Sequence, residues 1–163
     1  MTAEPVEQPR WLDDDEMRAW RAYVVGSALL EYRLHRDLQE AHGLALADYE
    51  LLVRLSEAPD GRIRMSLLAG LVASSKSRVS HQIARMEKDG LVLREGCNSD
   101  GRGVFAVLTE HGREVLRTAA PTHVEGVRAH LVDELSAEER AVLARVFERV
   151  TEALRLGASQ GYC

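Results

Sequence analysis

A run of cationic and hydrogen-bonding side chains between residues 75 and 85 is the part of the sequence best equipped to contact another molecule. Val79, Ile83 and Met86 recur at the spacing of one helical face and predict the buried stripe of a helix. This helix is expected to run to about Asp89 and to stop at Gly90. The side chains expected at its N-terminal end or on its solvent side are Ser75, Lys76, Ser77, Arg78, His81, Gln82 and Arg85.

The types of these polar side chains suit contacts with a DNA duplex. The free amides at the helix N-terminus, where Ser75 is a good N-cap, attract a phosphate. Arg78 and Arg85 can pair with guanine edges, Gln82 with adenine, and His81 with a base or a phosphate. Of the two arginines, we favour Arg78 as the base reader.

A hairpin is predicted directly after this helix. Residues 91–95 and 104–108 are β-prone, and the segment between them is rich in turn-forming residues. Arg102 lies between two glycines at the tip, where a guanidinium can enter a narrow minor groove. Asp100 is expected to hold the turn and orient Arg102. Arg94 is the other basic side chain of the hairpin. The alternative is a surface hairpin in which Asp-Gly serves turn geometry alone.

The charge of the chain is distributed unevenly along the sequence. The net charge is −5, yet the segment from Arg62 to Arg102 has eight basic and four acidic side chains. Phosphate attraction needs only local positive charge, so an acidic body with a basic centre is compatible with DNA binding. An ordinary solvated surface explains the charges equally well.

Helices are predicted on both sides of this central region. Apolar residues from Trp20 to Ala41 recur every three or four positions, which indicates a helix of about 28 residues that ends near Gly43. Such a helix spans about 42 Å and is too long to bury its whole stripe within one small domain, which suggests a second subunit. A second helix is expected over residues 46–55, a short strand over 62–64, and a third helix capped by Ser66. Thr109 and a Ser136-x-x-Glu139 capping box open the last two helices.

The expected fold class is mainly α with a small β hairpin, a winged helix-turn-helix flanked by long dimerisation helices. The predicted parts are a loose arm (1–10), an N-terminal dimerisation helix (11–44), the winged DNA-binding region (45–108), C-terminal dimerisation helices (109–156) and a tail (157–163).

Several other classes of protein are disfavoured by the sequence. Hydrophobic residues make up 45% of the chain, enough for a core, but uncharged apolar stretches such as residues 22–30 are far shorter than the roughly 20 residues of a membrane span. The acidic N-terminus does not resemble a signal peptide, so a cytoplasmic location is expected. Zinc-protease, phosphate-loop and nucleophile-elbow motifs are absent from the sequence. We therefore expect that the protein is not an enzyme and binds no metal or cofactor. Cys97 is a candidate redox sensor, although a structural role is favoured.

Segments 66–72 and 75–92, followed by Asp100-Gly101-Arg102 and Leu108-Thr109-x-x-Gly112, resemble the core and wing of the MarR family of bacterial transcriptional regulators. The resemblance extends over residues 14–156. It implies a homodimer that binds two half-sites of a pseudo-palindrome, and a small aromatic or anionic effector, or an oxidant, that weakens DNA binding. Ala45 departs from the family, in which Ser or Thr often caps the second helix, so we expect Asp48 and the helix dipole to support that start.

A cavity for such an effector is expected where the first two helices approach the DNA-binding lobe. Aromatic rings and cations suit an aromatic acid, although aromatic side chains at helical spacing often belong to the core. The candidate ligand-binding residues are Trp20, Tyr23, Tyr32, Arg33, His35 and Tyr49.

The sequence therefore predicts a sequence-specific regulator that binds double-stranded DNA, a ligand-responsive repressor acting as a homodimer. One alternative is a helical partner-binding protein whose winged module docks protein instead of DNA. A small hydrolase or metal-dependent enzyme ranks last, because the sequence offers no clustered set of catalytic groups.

Overall fold

The computed structural model describes the backbone of residues 9–96 and 103–160, and the side chains of that range up to residue 155. Six α-helices and three β-strands lie in the described residues. They are α1 (Asp14–His42), α2 (Leu46–Glu57), β1 (Arg62–Arg64), α3 (Met65–Leu71), α4 (Lys76–Lys88), β2 (Val92–Gly96), β3 (Val104–Leu108), α5 (Glu110–His130) and α6 (Ala137–Gln160).

The first helix has 29 residues and ends where the sequence predicts. Asp13 is its N-cap, and its Oδ1 accepts a 2.8 Å hydrogen bond from the Glu16 amide. The Glu16 carboxylate in turn accepts a 3.0 Å bond from the Asp13 amide, which completes a capping box. The helix ends at Gly43, whose φ of 64° lies in the left-handed region that glycine adopts without strain.

The second helix begins without a side-chain cap of its own, as expected for Ala45. The Leu46 amide instead donates a 3.3 Å hydrogen bond to Nδ1 of His35 on α1. The long first helix thus satisfies one of the four amides that the start of α2 leaves unpaired.

The prediction that Ser66 caps the third helix is wrong. Helix α3 begins one residue earlier, at Met65, with Arg64 in the N-cap position and no side-chain hydrogen bond. Arg64 is the last residue of β1, so the strand itself sets where the helix begins. Ser75 does cap α4, and its Oγ accepts a 3.2 Å hydrogen bond from the Arg78 amide.

The sheet has three antiparallel strands in the order β1-β3-β2. The predicted hairpin is confirmed, with β2 one residue later than expected and β3 within its predicted limits. Val92 is opposite Leu108 in the hairpin. Arg64 is opposite Phe105, which places the short strand before α3 on the far side of β3.

The core of the central region forms between α2, α4 and the sheet. Val79, Ile83 and Met86 have no exposed surface, and Leu52 and Val92 are equally buried. Since the three α4 residues occupy one face, their burial turns the polar face of that helix toward solvent.

The last two helices begin at the residues that the sequence predicts. Thr109 Oγ1 accepts a 2.9 Å hydrogen bond from the Gly112 amide and donates one of 2.7 Å to the Gly90 carbonyl, which joins the start of α5 to the end of α4. At α6, the Ser136 amide donates to Glu139 at 2.8 Å and the Glu139 amide donates back to Ser136 Oγ at 3.2 Å. These hydrogen bonds lower the pKa of the Glu139 carboxyl.

The apolar stripe of α1 is buried only toward its C-terminal end, where Leu34 and Leu38 join the core. Val25 and Leu29 are 58% and 63% exposed, and Leu154 on α6 is 70% exposed. The two flanking helices therefore present much of their apolar surface to solvent in the single chain.

No helix within the described residues has both the length and the apolar character needed to cross a bilayer.

Candidate nucleic-acid interface

Helix α4 holds its predicted contact residues on the outside of the molecule. Lys76, Ser77, Arg78 and His81 are all exposed, because the opposite face of the helix is packed into the core. Ser75 caps α4, and the first turn of the helix is exposed. The helix dipole at this end favours a negative charge. The geometry thus brings four of the predicted side chains onto one surface.

Gln82 and Arg85, which the sequence predicts as base readers, are both bound to one carboxylate. Gln82 Nε2 donates a 2.8 Å hydrogen bond to Asp48 Oδ1. Arg85 Nη2 donates to Asp48 Oδ1 at 2.7 Å and to Oδ2 at 2.9 Å. The two side chains therefore have a fixed anchor on α2 that Arg78 does not share.

Among the described residues, Asp48 is a charged residue that is buried, with 8% of its surface exposed. The sequence assigned it only to the start of α2, where its carboxylate would favour the helix dipole. An acid at the helical spacing of apolar residues, here Leu52 and Leu55, is a signal for a buried ion pair, since such a charge is costly without a partner. Its partners lie 34 and 37 residues away, so the sequence alone does not identify them.

The hairpin is joined to α4 by a second ion pair. Arg94 Nε donates a 2.8 Å hydrogen bond to Glu87 Oε2, and the Arg94 amide donates to Glu87 Oε1 at 3.0 Å. Glu87 thus fixes the base of the wing relative to the end of α4. It also neutralises part of the Arg94 charge that was predicted to face DNA.

A cleft of about 460 Å³ lies between the starts of α3 and α4 and the wing. Three cationic side chains line it, those of Arg64, Lys76 and Arg94, and Ser80 and Gly103 complete its polar edge. The sequence analysis did not select Arg64 or Ser80 as site residues. Alternating charge in Arg62-Ile63-Arg64 is the signal that places Arg64 on the same side of the strand as Arg62, but the cleft itself depends on tertiary packing.

The predicted residues at the wing tip, Asp100 and Arg102, lie outside the described residues, as does Cys97. Their roles remain predictions from the sequence.

The six candidate ligand residues do not meet in one cavity. Trp20 and Tyr23 are neighbours on α1, with ring centroids 5.9 Å apart, and Tyr23 also lies 5.5 Å from Phe147 of α6. Tyr32 is 61% exposed. Tyr49 lies elsewhere, in a separate cavity against α5.

The two candidate cations of that set have other partners. Arg33 Nε lies 3.1 Å from Asp37 one helical turn along α1. His35 accepts the Leu46 amide through Nδ1, so that nitrogen carries no proton in this contact. Both residues therefore serve contacts within and between helices α1 and α2.

Tyr49 packs against His123 of α5, with ring centroids 4.5 Å apart. The two rings line a cavity of about 310 Å³, together with Glu50, Arg54 and Leu71. Burial raises the pKa of the Tyr49 hydroxyl, and it also lowers the pKa of the His123 imidazole. Burial, and secondarily the Glu31 charge, raises the pKa of the Glu50 carboxyl.

Two further histidines form contacts between α1 and α5. His42 Nε2 lies 2.8 Å from Thr122 Oγ1, and His130 Nε2 lies 3.5 Å from Asp37 Oδ2. In the part of the chain that the structure describes, no three His, Cys, Asp or Glu side chains are placed to share an ion.

Two helices joined by a short turn, the second exposing a cationic face and followed by a β-hairpin, define a winged helix-turn-helix protein. The MarR family model matches residues 44–104, from the start of α2 to the wing. The transcriptional regulator HosA of Escherichia coli is 30% identical over 122 residues, which cover 75% of this chain and 88% of HosA. The chain belongs to the MarR family of transcriptional regulators and is not an enzyme.

Two solved structures from Streptomyces coelicolor share both sequence and fold with this chain. The MarR family regulator AbsC is 50% identical with a TM-score of 0.85, and the match covers 90% of this chain and 99% of AbsC. Sco3205, a MarR family regulator crystallised in complex with DNA, is 45% identical with a TM-score of 0.87 over 91% of this chain and 92% of its own.

We predict that the His123 contact makes the fold less stable in mild acid. The unfolded chain takes up a proton near pH 6.5 more readily than the half-buried imidazole does, so the free energy of unfolding falls as the pH drops through that value. His123→Phe keeps a ring against Tyr49 and removes the titrating group. Urea unfolding at pH 7.5 and 5.5, at a fixed protein concentration, should show a smaller loss for this variant than for the wild type.

His111→Phe is the matched control, because His111 is an exposed residue of the same helix. It should retain the pH dependence of the wild type. Equal losses in the wild type and in His123→Phe would show that the His123 imidazole does not destabilise the fold in acid.

Proposed function

We propose that this protein is a homodimeric repressor that binds a pseudo-palindromic operator through α4 and the wing and is released by a small aromatic acid. The observation that carries the proposal is the exposed cationic surface formed by Lys76, Arg78 and His81 beside the cation-lined cleft. An α-helix of this kind fits the major groove, and the adjoining cations neutralise phosphates. The DNA complex of the relative Sco3205 supports the same role for this chain.

Most of the predicted contact residues have a defined part in this complex. Arg78 reads a base edge, because its side chain is exposed and the helix backbone beneath it is fixed by the Ser75 cap. Lys76, Ser77 and the α4 amides bind a phosphate, and His81 contacts a base or a phosphate. Arg94 contributes to the phosphate-binding cleft. Arg102, oriented by Asp100, enters the minor groove as the sequence predicts.

A dimer explains the apolar surface that the single chain exposes. Val25 and Leu29 of α1 and Leu154 of α6 are each more than half exposed. A groove of about 720 Å³ between α1, α6 and the segment that joins α5 to α6 is lined mainly by apolar atoms, including those of Tyr23 and Phe147. Burying one large apolar side chain stabilises an assembly by about 1.5–3 kcal/mol. A second copy packed on these faces buries several such side chains and stabilises the dimer accordingly. A two-fold dimer also presents two α4 helices to half-sites about 34 Å apart.

Repression follows from the size of such a complex, since a dimer seated on two half-sites covers DNA that RNA polymerase needs at an overlapping promoter. The regulator acts on the chromosome, so the proposal places it in the cytoplasm.

An aromatic acid is the effector that the Tyr49 cavity favours. The cavity lies between α2, α3 and α5, and offers two rings, the apolar Leu71 side chain and the Arg54 guanidinium. Rings and apolar side chains bind an aromatic body, and a guanidinium binds a carboxylate. The Arg54 cation is shared with Glu57, 3.4 Å away, so the ligand carboxylate competes for an ion pair that is already half exposed.

We expect Arg78→Ala to weaken binding to a duplex selected by the wild type from a random pool by about 1–3 kcal/mol, and to relax the base preference at one position in each half-site. Arg102→Ala should weaken all sequences and reduce the slope of log K against log salt by about one. Fluorescence anisotropy over a range of salt concentrations measures both effects.

The control for these variants is Arg128→Ala. Arg128 is an exposed residue of α5 that pairs with Asp133 at 2.7 Å, and neither residue lines the cation-lined cleft or the groove proposed for the second copy, so its loss should leave affinity and slope unchanged. If neither Arg78→Ala nor Arg102→Ala changes affinity or slope, the proposed DNA-binding surface is wrong.

We expect Leu29→Glu to convert the dimer to a monomer, because it places a charge in the apolar face of α1. Light scattering after size-exclusion chromatography should give 18.1 kDa for the variant and twice that mass for the wild type. Leu67→Glu is a close match, since Leu67 is 61% exposed but lies on α3 of the winged lobe. It should remain dimeric. A wild type that elutes as a monomer contradicts the dimer.

We expect a substituted benzoic acid to release the protein from its selected duplex, because the ligand binds beside Tyr49 and favours a spacing of the winged lobes that no longer fits two half-sites. Anisotropy titrated with the acid measures release. Arg54→Ala should raise the concentration needed by about tenfold, and Arg128→Ala should not change it. Retained binding at saturating acid for a panel of such compounds argues against this class of effector.

A further inference from the structure

The Asp48 carboxylate uses both oxygens on α4 and none on its own helix end. Oδ1 accepts hydrogen bonds from Gln82 at 2.8 Å and from Arg85 at 2.7 Å, and Oδ2 accepts a second bond from Arg85 at 2.9 Å. The carboxylate side chain is 12% exposed, whereas the Arg85 side chain is 59% exposed. An acid of α2 thus holds two solvent-facing side chains of the DNA-facing helix from beneath.

This contact fixes which way the Gln82 amide faces. A carboxylate accepts hydrogen bonds but does not donate them, so the amide must turn its nitrogen toward Asp48 and its oxygen away. The amide oxygen and the second N–H bond remain for another partner. A glutamine whose amide is held in one orientation offers an ordered acceptor and donor to an adenine edge, whereas a free glutamine must first lose that freedom.

The same contact limits what Arg85 can do. One of its terminal nitrogens, Nη2, is engaged by both carboxylate oxygens, so the fork of donors that pairs with guanine is no longer complete. Its charge compensates a buried anion, and its outward nitrogens are left for a phosphate. Arg78, which is exposed on the preceding turns, keeps its whole guanidinium for a base.

We propose that Asp48 is a positioning residue for base recognition, which sets the orientation of the Gln82 amide and withdraws Arg85 from base reading. The inference rests on the proposed DNA-binding function and deepens it. It assigns the base preference of this surface to Arg78 and to an Asp48-Gln82 pair, and it gives Arg85 the role of counter-charge and phosphate contact. Asp48 itself does not touch DNA.

The test compares base preference, not affinity alone. Wild type, Asp48→Ala, Gln82→Ala and the double variant are bound to the selected duplex and to a set of duplexes with single base-pair changes. In Gln82→Ala, the ratio of affinities for the selected duplex and a changed duplex should fall by about 5-fold or more at one position per half-site. Asp48→Ala should lose discrimination at that same position, and the double variant should lose no more than Gln82→Ala alone.

Two further variants separate positioning from simple bracing of the fold. Asp48→Asn is almost isosteric, and its amide oxygen still accepts the Gln82 Nε2 hydrogen bond while the charge that pairs with Arg85 is lost. It should therefore keep more of the discrimination at the Gln82 position than Asp48→Ala does. Asp89→Ala removes an exposed carboxylate at the end of α4 and should leave base preference unchanged. Thermal unfolding of each variant, followed by circular dichroism, accompanies the binding data.

The affinity for a random duplex is a readout that would distinguish positioning from a structural role. Asp48→Ala should bind this duplex as tightly as the wild type or more tightly, because an anion is removed near the phosphates and Arg85 is released. A loss of affinity that is equal at every base position, or that adds to the loss caused by Gln82→Ala, overturns the positioning role and leaves the DNA-binding proposal intact. A wild type that fails to bind any duplex overturns both.

Discussion

The burial of one stripe of α4 is the constraint on which the rest of the site depends. Val79, Ile83 and Met86 are removed completely from water, and a helix that buries three such side chains has no freedom to rotate about its axis. The direction of every other α4 side chain is therefore decided by packing. The Ser75 cap and the Thr109 bond to the Gly90 carbonyl then fix the two ends of this segment. A cationic surface results from an apolar core, not from attraction among its polar residues.

A buried charge adds a second constraint, because α2 carries Asp48 where its other inward side chains are apolar. Removing a carboxylate from water costs several kcal/mol, and the pair with Arg85 and the bond from Gln82 offset that cost. Replacing the pair with apolar residues of similar size would often stabilise a fold. A carboxylate at this position is thus poorly explained by stability alone, whereas the proposed role in orienting two side chains of α4 accounts for it.

Local signals in the sequence were sufficient for most elements and insufficient for the partners of the site. The limits of α1 follow from Asp13 and Gly43, and the start of α6 follows from the Ser136 and Glu139 capping box, because caps depend on residues three or four apart. Ser66 failed as a cap because a strand bound to β3 already fixes the preceding backbone. The contacts of Asp48 and the separation of Tyr49 from Trp20 depend on which helices meet in space, which periodicity does not specify.

Helix α2 connects the Tyr49 cavity, proposed for the effector, with the α4 surface proposed to face DNA. Tyr49 lines the cavity and follows Asp48 directly in α2, so one backbone segment contacts α5 through His123 and α4 through Arg85. Helix α1 joins this segment through the His35 bond to the Leu46 amide, and it joins α5 through His42 and Thr122. A ligand changes DNA affinity only by its unequal affinity for two arrangements of these helices. Any arrangement that moves Tyr49 must carry Asp48 with it, because adjacent residues of a helix move as one rigid unit. The proposed coupling between a bound acid and base preference therefore requires no longer pathway than a single turn of α2.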